Sequence, residues 1–210
     1  PHLRHEIWRH LARAEALIRR RQTIQVEATD LDCDGREEVW IHGKSFSAQV
    51  QPHRGGRLVE WTDFAEEVNL LNTLTRRPEA YHDTIRSAAA TPGGVAWGGI
   101  PGIHELQREA PADLVEALVY DQWERAAFLD HFFVEPNPVA SWAAGRLDER
   151  GDFTGGEWGW QPTSCGVALD RSGHVRTDAE GGHPVLLRKE YAFTDNQRLA
   201  VFYRIVNNGR

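Results

Sequence analysis

The stretch that decides the fold is Pro52–His82, PHRGGRLVEWTDFAEEVNLLNTLTRRPEAYH. It opens with the glycine pair Gly55-Gly56, which is typical of a tight turn. Residues 57–63, RLVEWTD, then alternate in character with a period of two, as a strand with two different faces does. The segment therefore predicts an antiparallel sheet with large side chains on one face.

Short segments of the same kind recur from Gln22 onward, each bounded by Gly, Pro, Asp or Asn. Alternation around Val26 and around Val39-Ile41 predicts the first strands. Further strands are predicted at 46–51, 57–63, 68–75, 128–134, 164–169, 185–193 and 199–206. Many short strands joined by turns are typical of a sandwich. We therefore expect a mainly β fold, with an antiparallel β-sandwich over residues 22–210.

Two segments do not follow the strand pattern. Residues 83–102 have no sustained period and are expected to form a surface loop. Residues 103–118 are expected to add a helical turn or two.

Residues 1–21 have the periodicity of one amphipathic helix that precedes the sandwich. Its apolar side chains recur at steps of three and four: Leu3, Ile7, Leu11, Ala14 and Ile18. Trp8 and Ala12 widen the same face. A helix this short is marginal alone, so the apolar stripe must pack on another element. Two partners remain open, the sheet of this chain and an upstream part of the same polypeptide.

Composition and charge exclude several classes of function. With 40% hydrophobic residues and 8 Trp, the 210 residues can form a real core. The net charge is −7 and basic residues form no stripe, so a nucleic-acid partner is not expected. The chain contains no apolar run of about 18–20 residues, and no membrane partner is expected. Cys33 and Cys165 are expected to be free thiols.

The strongest chemical signal is the run DLDCDGREE at residues 30–38. Gly35 allows a sharp reversal, which lets four carboxylates converge on one side of a tight loop: Asp30, Asp32, Asp34 and Glu38. Calcium prefers such oxygen ligands, although Ile41 replaces the glutamate that an EF-hand needs at position 12. The sequence thus indicates a calcium site in a β-hairpin. The alternative is a turn whose aspartates bond to their own backbone amides.

Aromatic residues suggest a second site. Trp158 and Trp160, in GEWGWQP, share a face if the segment is extended, and paired indole rings can stack on sugars. They could equally fill the core. Asp130-His131 looks like an acid–base pair, but neighbours on a strand point to opposite faces, so a structural role is favoured. The histidines, including His53, show no spacing that predicts a zinc site.

The order of the motifs resembles one family. A PHLR helix containing ARAE is followed by DxDxDGxxEV, GGxLxE, NLLNTLTRRPEAYH and ERAAFLDHFF. Together they are similar to the C-terminal region of the α-amylase/4-α-glucanotransferases of glycoside hydrolase family 57. The resemblance implies residues 1–21 as the last helix of a linking helical region. It implies residues 22–210 as part of a galactose-mutarotase-like supersandwich that continues beyond Arg210.

The resemblance also implies a function. In that family, retaining cleavage or transfer of α-1,4-glucan is performed by carboxylates of an upstream barrel, so no catalytic residue is assigned here. The chain is expected to support that barrel, to be inactive alone, to meet α-glucan as a partner and to be cytoplasmic. Calcium is the cofactor considered, and no organic cofactor is expected. Two alternatives remain, a free-standing carbohydrate-binding module and a purely structural, calcium-stabilised domain.

Overall fold

The computed structural model describes residues 2–90, 112–133, 139–177, 181–194 and 198–209. The helices are α1 (His2–Arg19), α2 (Ala80–Ala90), α3 (Ala112–Glu116) and α4 (Val139–Ala143). The strands are β1 (Gln25–Thr29), β2 (Glu38–His42), β3 (Phe46–Gln51), β4 (Arg57–Asp63), β5 (Val68–Asn69), β6 (Gly159–Thr163), β7 (Gly166–Arg176), β8 (Gly182–Phe193) and β9 (Leu199–Asn207).

The strands form two antiparallel sheets, as the sequence predicts. One sheet has the order β1-β2-β3-β4-β5 and the other β6-β7-β8-β9, so each strand pairs with its neighbour along the chain. Strands β3 and β4 keep the predicted bounds. The segment predicted at 68–75 shortens to β5, while those at 164–169 and 185–193 lengthen into β7 and β8.

The core lies between the two sheets and takes buried side chains from both. Phe46 of β3 stacks on Phe193 of β8, with ring centroids 4.8 Å apart. The other buried apolar members of this cluster include Val39, Ile41, Ala48, Val50, Leu58, Val167, Leu169, Leu187 and Tyr191. A mainly β sandwich with one N-terminal helix is therefore confirmed.

The glycine pair of the opening stretch anchors the second sheet. Gly55 and Gly56 have φ of 79° and 57°, values that favour glycine. The Tyr191 hydroxyl donates to the Gly56 carbonyl at 2.8 Å, and the Lys189 ammonium donates to the Gly55 carbonyl at 3.0 Å. Two polar side chains of β8 thus fix the turn between β3 and β4.

The strand predicted at 128–134 is wrong over residues 128–133, and residue 134 lies outside the described part. Phe128 adopts φ of 60°, which interrupts an extended backbone, and Phe133 pairs with Glu149 in an isolated bridge rather than in a strand. The Lys189 ammonium donates to the Phe128 carbonyl at 2.8 Å and to Asp130 Oδ2 at 2.7 Å, which holds this irregular segment against β8. No linear pattern in the sequence predicts that Lys189 is buried here.

Helix α1 packs on the first sheet through its less apolar side. Ala12 and Arg19 are its buried residues, and the Arg19 guanidinium lies 4.3 Å from the centroid of the Trp40 ring. Ala12, which widens the predicted apolar face, is thus buried, whereas the stripe itself faces away from this contact, with Ile7 60% and Ile18 72% exposed. The sheet is therefore not the partner of the stripe. None of the described helices is long and apolar enough to cross a bilayer.

The described chain divides into two compact units. One contains Pro1–Thr73, Arg125–Asn137 and Asp148–Arg210, and so holds α1 together with both sheets. The other contains Leu74–Glu124 and Pro138–Leu147.

The loop predicted at 83–102 is wrong over residues 83–90, which belong to α2; residues 91–102 lie outside the described part. His82 Nδ1 accepts the Glu79 backbone N–H at 3.1 Å and so caps the start of this helix. Helix α2 is only 11 residues long and is followed closely by the Pro- and Gly-containing run TPGG, so no sustained period marks it in the sequence. Helix α3 falls within the range in which helical turns were expected.

Candidate functional site

The Asp-rich turn joins β1 to β2, at the end of the sheet where the β3–β4 turn also lies. Its backbone reverses through residues with positive φ, Cys33 at 59° and Gly35 at 86°. The Asp30 carboxylate accepts the backbone N–H groups of Asp34 at 3.0 Å and Gly35 at 2.9 Å. Asp32 accepts the same Asp34 N–H at 3.2 Å. The bonding expected of a self-capped turn is therefore present, and each carboxylate keeps further lone pairs for another ligand.

Glu38, the first residue of β2, points into the base of this turn. Its side chain is fully buried, and its Oε2 accepts the Leu31 backbone N–H at 2.8 Å. Its Oε1 has no hydrogen-bond partner among the described residues. One oxygen each of Asp30, Asp32 and Glu38 lies within 4.8 Å of the others, so three of the four predicted ligands form one group.

The fourth predicted ligand, Asp34, joins a different group that includes His53. His53 Nε2 lies 3.7 Å from Asp34 Oδ2 and 3.7 Å from Glu38 Oε1. Neither ring nitrogen has a hydrogen-bond partner in the described structure, although the residue is buried. The fold thus brings His53, whose spacing in the sequence predicts no zinc site, beside two carboxylates.

The pairing of strands explains why His53 approaches the turn. Val39 pairs with Val50, so Glu38 at the start of β2 lies near the end of β3, which His53 follows closely. The spacing of Glu38 and His53 in the sequence cannot reveal this contact. Pairing the two predicted strands as an antiparallel hairpin could have indicated it.

A cavity of about 320 Å³ opens beside these groups. It is lined by Gly35, Arg36, Glu37, Pro52, His53, Glu157, Trp158 and Trp160. The two predicted sugar-binding tryptophans therefore border one space, and that space adjoins the candidate ion ligands. Arg36 and Glu157 form an exposed ion pair at 3.7 Å at this place.

The two tryptophans differ in access to the cavity. Trp158 is 2% exposed, its Nε1 donates to the Phe153 carbonyl at 3.3 Å, and the Lys189 ammonium lies 4.3 Å from the centroid of its ring. A ring so enclosed cannot stack on a sugar. The sugar-binding prediction for Trp158 is therefore wrong, because this side chain lies in the core. Trp160, the second residue of β6, is half-buried.

Other candidates have structural partners. Asp130 bonds to Lys189, whereas His131 Nδ1 lies 2.6 Å from Glu149 Oε2, so the two neighbours do not act as a dyad. Cys33 and Cys165 are free thiols, as expected.

Comparison with known proteins decides the family. Residues 30–210 match the family described as Alpha-amylase/4-alpha-glucanotransferase, C-terminal. The chain belongs to this family. It is 33% identical to a 4-alpha-glucanotransferase of Thermococcus kodakarensis over 83% of this chain and 26% of that protein. It is 31% identical to a 4-alpha-glucanotransferase of Thermococcus litoralis, over 98% of this chain and 30% of that one.

A Pyrococcus abyssi protein named alpha-amylase is 32% identical over 83% of this chain and 26% of its own length. The crystal structure of the 4-alpha-glucanotransferase from Thermococcus litoralis superposes with a TM-score of 0.79 at 25% identity, covering 99% of this chain and 28% of that chain. This family domain therefore spans less than a third of the relatives it matches.

Proposed function

We propose that this chain is the non-catalytic C-terminal domain of a larger enzyme that acts on α-1,4-glucan. The proposed enzyme is of the retaining α-amylase or 4-α-glucanotransferase type, in glycoside hydrolase family 57. The family match over residues 30–210 supports this role, as do the names of the relatives and their greater length. The remaining length of such an enzyme would carry the catalytic carboxylates.

The observation that carries the proposal is the apolar stripe of α1, which packs on no other element among the described residues. Four of its side chains are 48–72% exposed: Leu3, Ile7, Leu11 and Ile18. Burying one leucine or isoleucine is worth about 1.5–3 kcal/mol, so four such side chains left in water are costly. We assign the stripe to contact with the upstream catalytic domain of the same polypeptide.

A pair of substitutions tests this contact. In the full-length polypeptide, Ile7→Ser/Leu11→Ser is expected to lower the melting temperature, because both side chains would lose their burial. In the 210-residue chain the same change should leave the melting temperature almost unaltered. The control is His5→Ser/Arg20→Ser, at one exposed position in this helix and one just after its end, both outside the stripe. An equal loss in both contexts would place the partner of the stripe inside this chain.

Activity provides the second test. The purified 210-residue chain is expected to release no product from maltoheptaose, whereas the full-length polypeptide should convert it. Turnover by the 210 residues alone would sink the assignment of a non-catalytic domain.

The cavity beside Trp160 favours sugar binding as an additional role. A half-buried indole with a neighbouring Arg36–Glu157 pair offers one apolar face and charged hydrogen-bonding groups, as sugar sites do. Trp160→Ala should abolish binding of a maltooligosaccharide in calorimetry. Trp142→Ala, at an exposed tryptophan elsewhere, serves as the control. Equal affinity in the Trp160 variant and the parent would remove this role.

The Asp-rich turn supports calcium binding as a stabilising role. Asp30, Asp32 and Glu38 provide an oxygen-only group, which suits this cation. Millimolar calcium should raise the melting temperature by several degrees, because a ligand that binds only the folded state stabilises it. Asp32→Ala should abolish the shift. An unchanged melting temperature of the parent in calcium would dismiss the role.

A further inference from the structure

Two buried polar groups face each other without a hydrogen bond. Glu38 Oε1 and His53 Nε2 are 3.7 Å apart, and neither has a hydrogen-bond partner among the described residues. The side chains are 0% and 6% exposed. A buried carboxylate oxygen and a buried imidazole that lose their water require compensation from another partner.

The spacing of the atoms fits a small ion between them. Asp34 Oδ2 is the third member, 3.7 Å from His53 Nε2, and one ligand atom from each residue lies within 4.8 Å of the others. Zinc binds nitrogen and oxygen at about 2.0–2.2 Å, which places tetrahedral ligands about 3.4 Å apart. The two contacts of His53, at 3.7 Å each, would need to close by only a few tenths of an ångström.

The donor set determines the class of ion. Calcium takes oxygen ligands, whereas an imidazole together with two carboxylates suits zinc and related divalent ions. The imidazole also distinguishes this group from the oxygen-only group of Asp30, Asp32 and Glu38.

An ion could reach this group from the cavity, and Arg54 competes with it for Asp34. His53 lines the cavity of about 320 Å³, which provides an entry path and room for a water ligand. The exposed Arg54 guanidinium lies 3.2 Å from Asp34 Oδ2 and would be displaced. We propose that Asp34, Glu38 and His53 bind a divalent transition-metal ion of the zinc class, with a fourth position open to the cavity.

The test is titration of the chelator-treated 210-residue chain with cobalt(II), whose visible spectrum reports its ligands, and with zinc by calorimetry. We expect one ion per chain with micromolar or tighter affinity. His53→Gln should weaken binding at least tenfold while circular dichroism shows a folded chain. Asp34→Asn, at the more exposed ligand, provides a second variant in case the first fails to fold.

His174→Gln is the matched control, since this imidazole is exposed and lies near Asp152 instead. It should bind as the parent does. Absence of binding by the folded parent would overturn the proposal, as would parental affinity in both ligand variants. Loss of binding in His174→Gln as large as in His53→Gln would place the ion elsewhere and would also overturn it.

Discussion

The Lys189 ammonium donates a 2.7 Å hydrogen bond to Asp130 Oδ2, and the two side chains are 0% and 10% exposed. Burial lowers the pKa of Lys189, while the Asp130 charge opposes that change. The same ammonium donates to the carbonyls of Gly55 and Phe128. One buried cation thus joins β8, the β3–β4 turn and the irregular segment around Phe128.

Replacing Lys189 should therefore destabilise the fold strongly. Lys189→Met leaves the Asp130 carboxylate buried without its cationic partner and should lower the free energy of unfolding by about 3–5 kcal/mol. Lys189→Met/Asp130→Asn should recover part of that loss, because no lone charge remains. Urea unfolding of both variants measures the difference. A double variant less stable than Lys189→Met would show that the pair is not the source of the effect.

Stability should depend on pH through Glu60. Burial raises the pKa of Glu60 to about 7 despite the hydrogen bond from Thr62, and the charge of Glu15 adds to the increase. The folded chain holds this proton more tightly than the unfolded chain does. The contribution is full below about pH 4.5 and disappears as pH rises through about 7.

Glu60→Gln should abolish this dependence. At pH 8 the substitution should raise the free energy of unfolding by on the order of 2 kcal/mol. Solvent screening of this half-buried group keeps the gain below what the full pKa shift would give. Urea unfolding of parent and variant at pH 4.5 and pH 8 measures the change. The same increment at both values of pH would contradict ionisation of Glu60 as the cause.

His42 should act in the opposite direction. Burial lowers its pKa, the nearby Arg19 charge lowers it further, and Glu27 opposes both. Arg19 Nη1 donates to His42 Nδ1, which requires that nitrogen to be unprotonated. The unfolded chain takes up this proton more readily, so stability should fall as pH decreases below the ordinary histidine pKa of 6.5.

His42→Gln should remove this acid-side loss. Because Glu60 and His42 give opposite slopes, each must be measured as the difference between a single variant and the parent. Melting temperatures between pH 5 and pH 8 suffice. A His42→Gln variant with the parent's acid-side slope would exclude His42 as its source.

The glycine turn offers a test of backbone geometry. At Gly55, φ is 79° and a Cβ would lie 2.4 Å from the Thr154 carbonyl oxygen. Gly55→Ala should therefore cost about 2–4 kcal/mol, through positive φ and the clash together. Gly181, with φ of 60° and no atom within 4 Å of its added Cβ, is the control, and Gly181→Ala should cost about 1 kcal/mol. Equal losses would show that the clash contributes nothing.

Short-range sequence patterns predict the strands and turns that depend on neighbouring residues. The alternation of residues 57–63 gave the bounds of β4, and the Gly55-Gly56 pair gave its turn. Contacts between distant residues were missed because no linear period encodes them. His53 meets Glu38 through strand pairing, and Lys189 meets Asp130 through packing of a segment that does not form a strand.

Burial was the other source of error. The spacing of Trp158 and Trp160 could not show that Lys189 and Phe153 enclose the first ring. The sequence predicts the apolar stripe of α1 but not its orientation. Its exposed side chains face away from the sheet, so the sheet is not the partner of the stripe.

The mass of the native gene product tests the central claim most directly. An antibody against this chain should detect, in the cells that express it, a polypeptide several-fold heavier than 23.8 kDa. That result would agree with a C-terminal domain that covers 26–30% of its relatives. A single band near 23.8 kDa would contradict the account, because such a chain would carry no upstream catalytic domain.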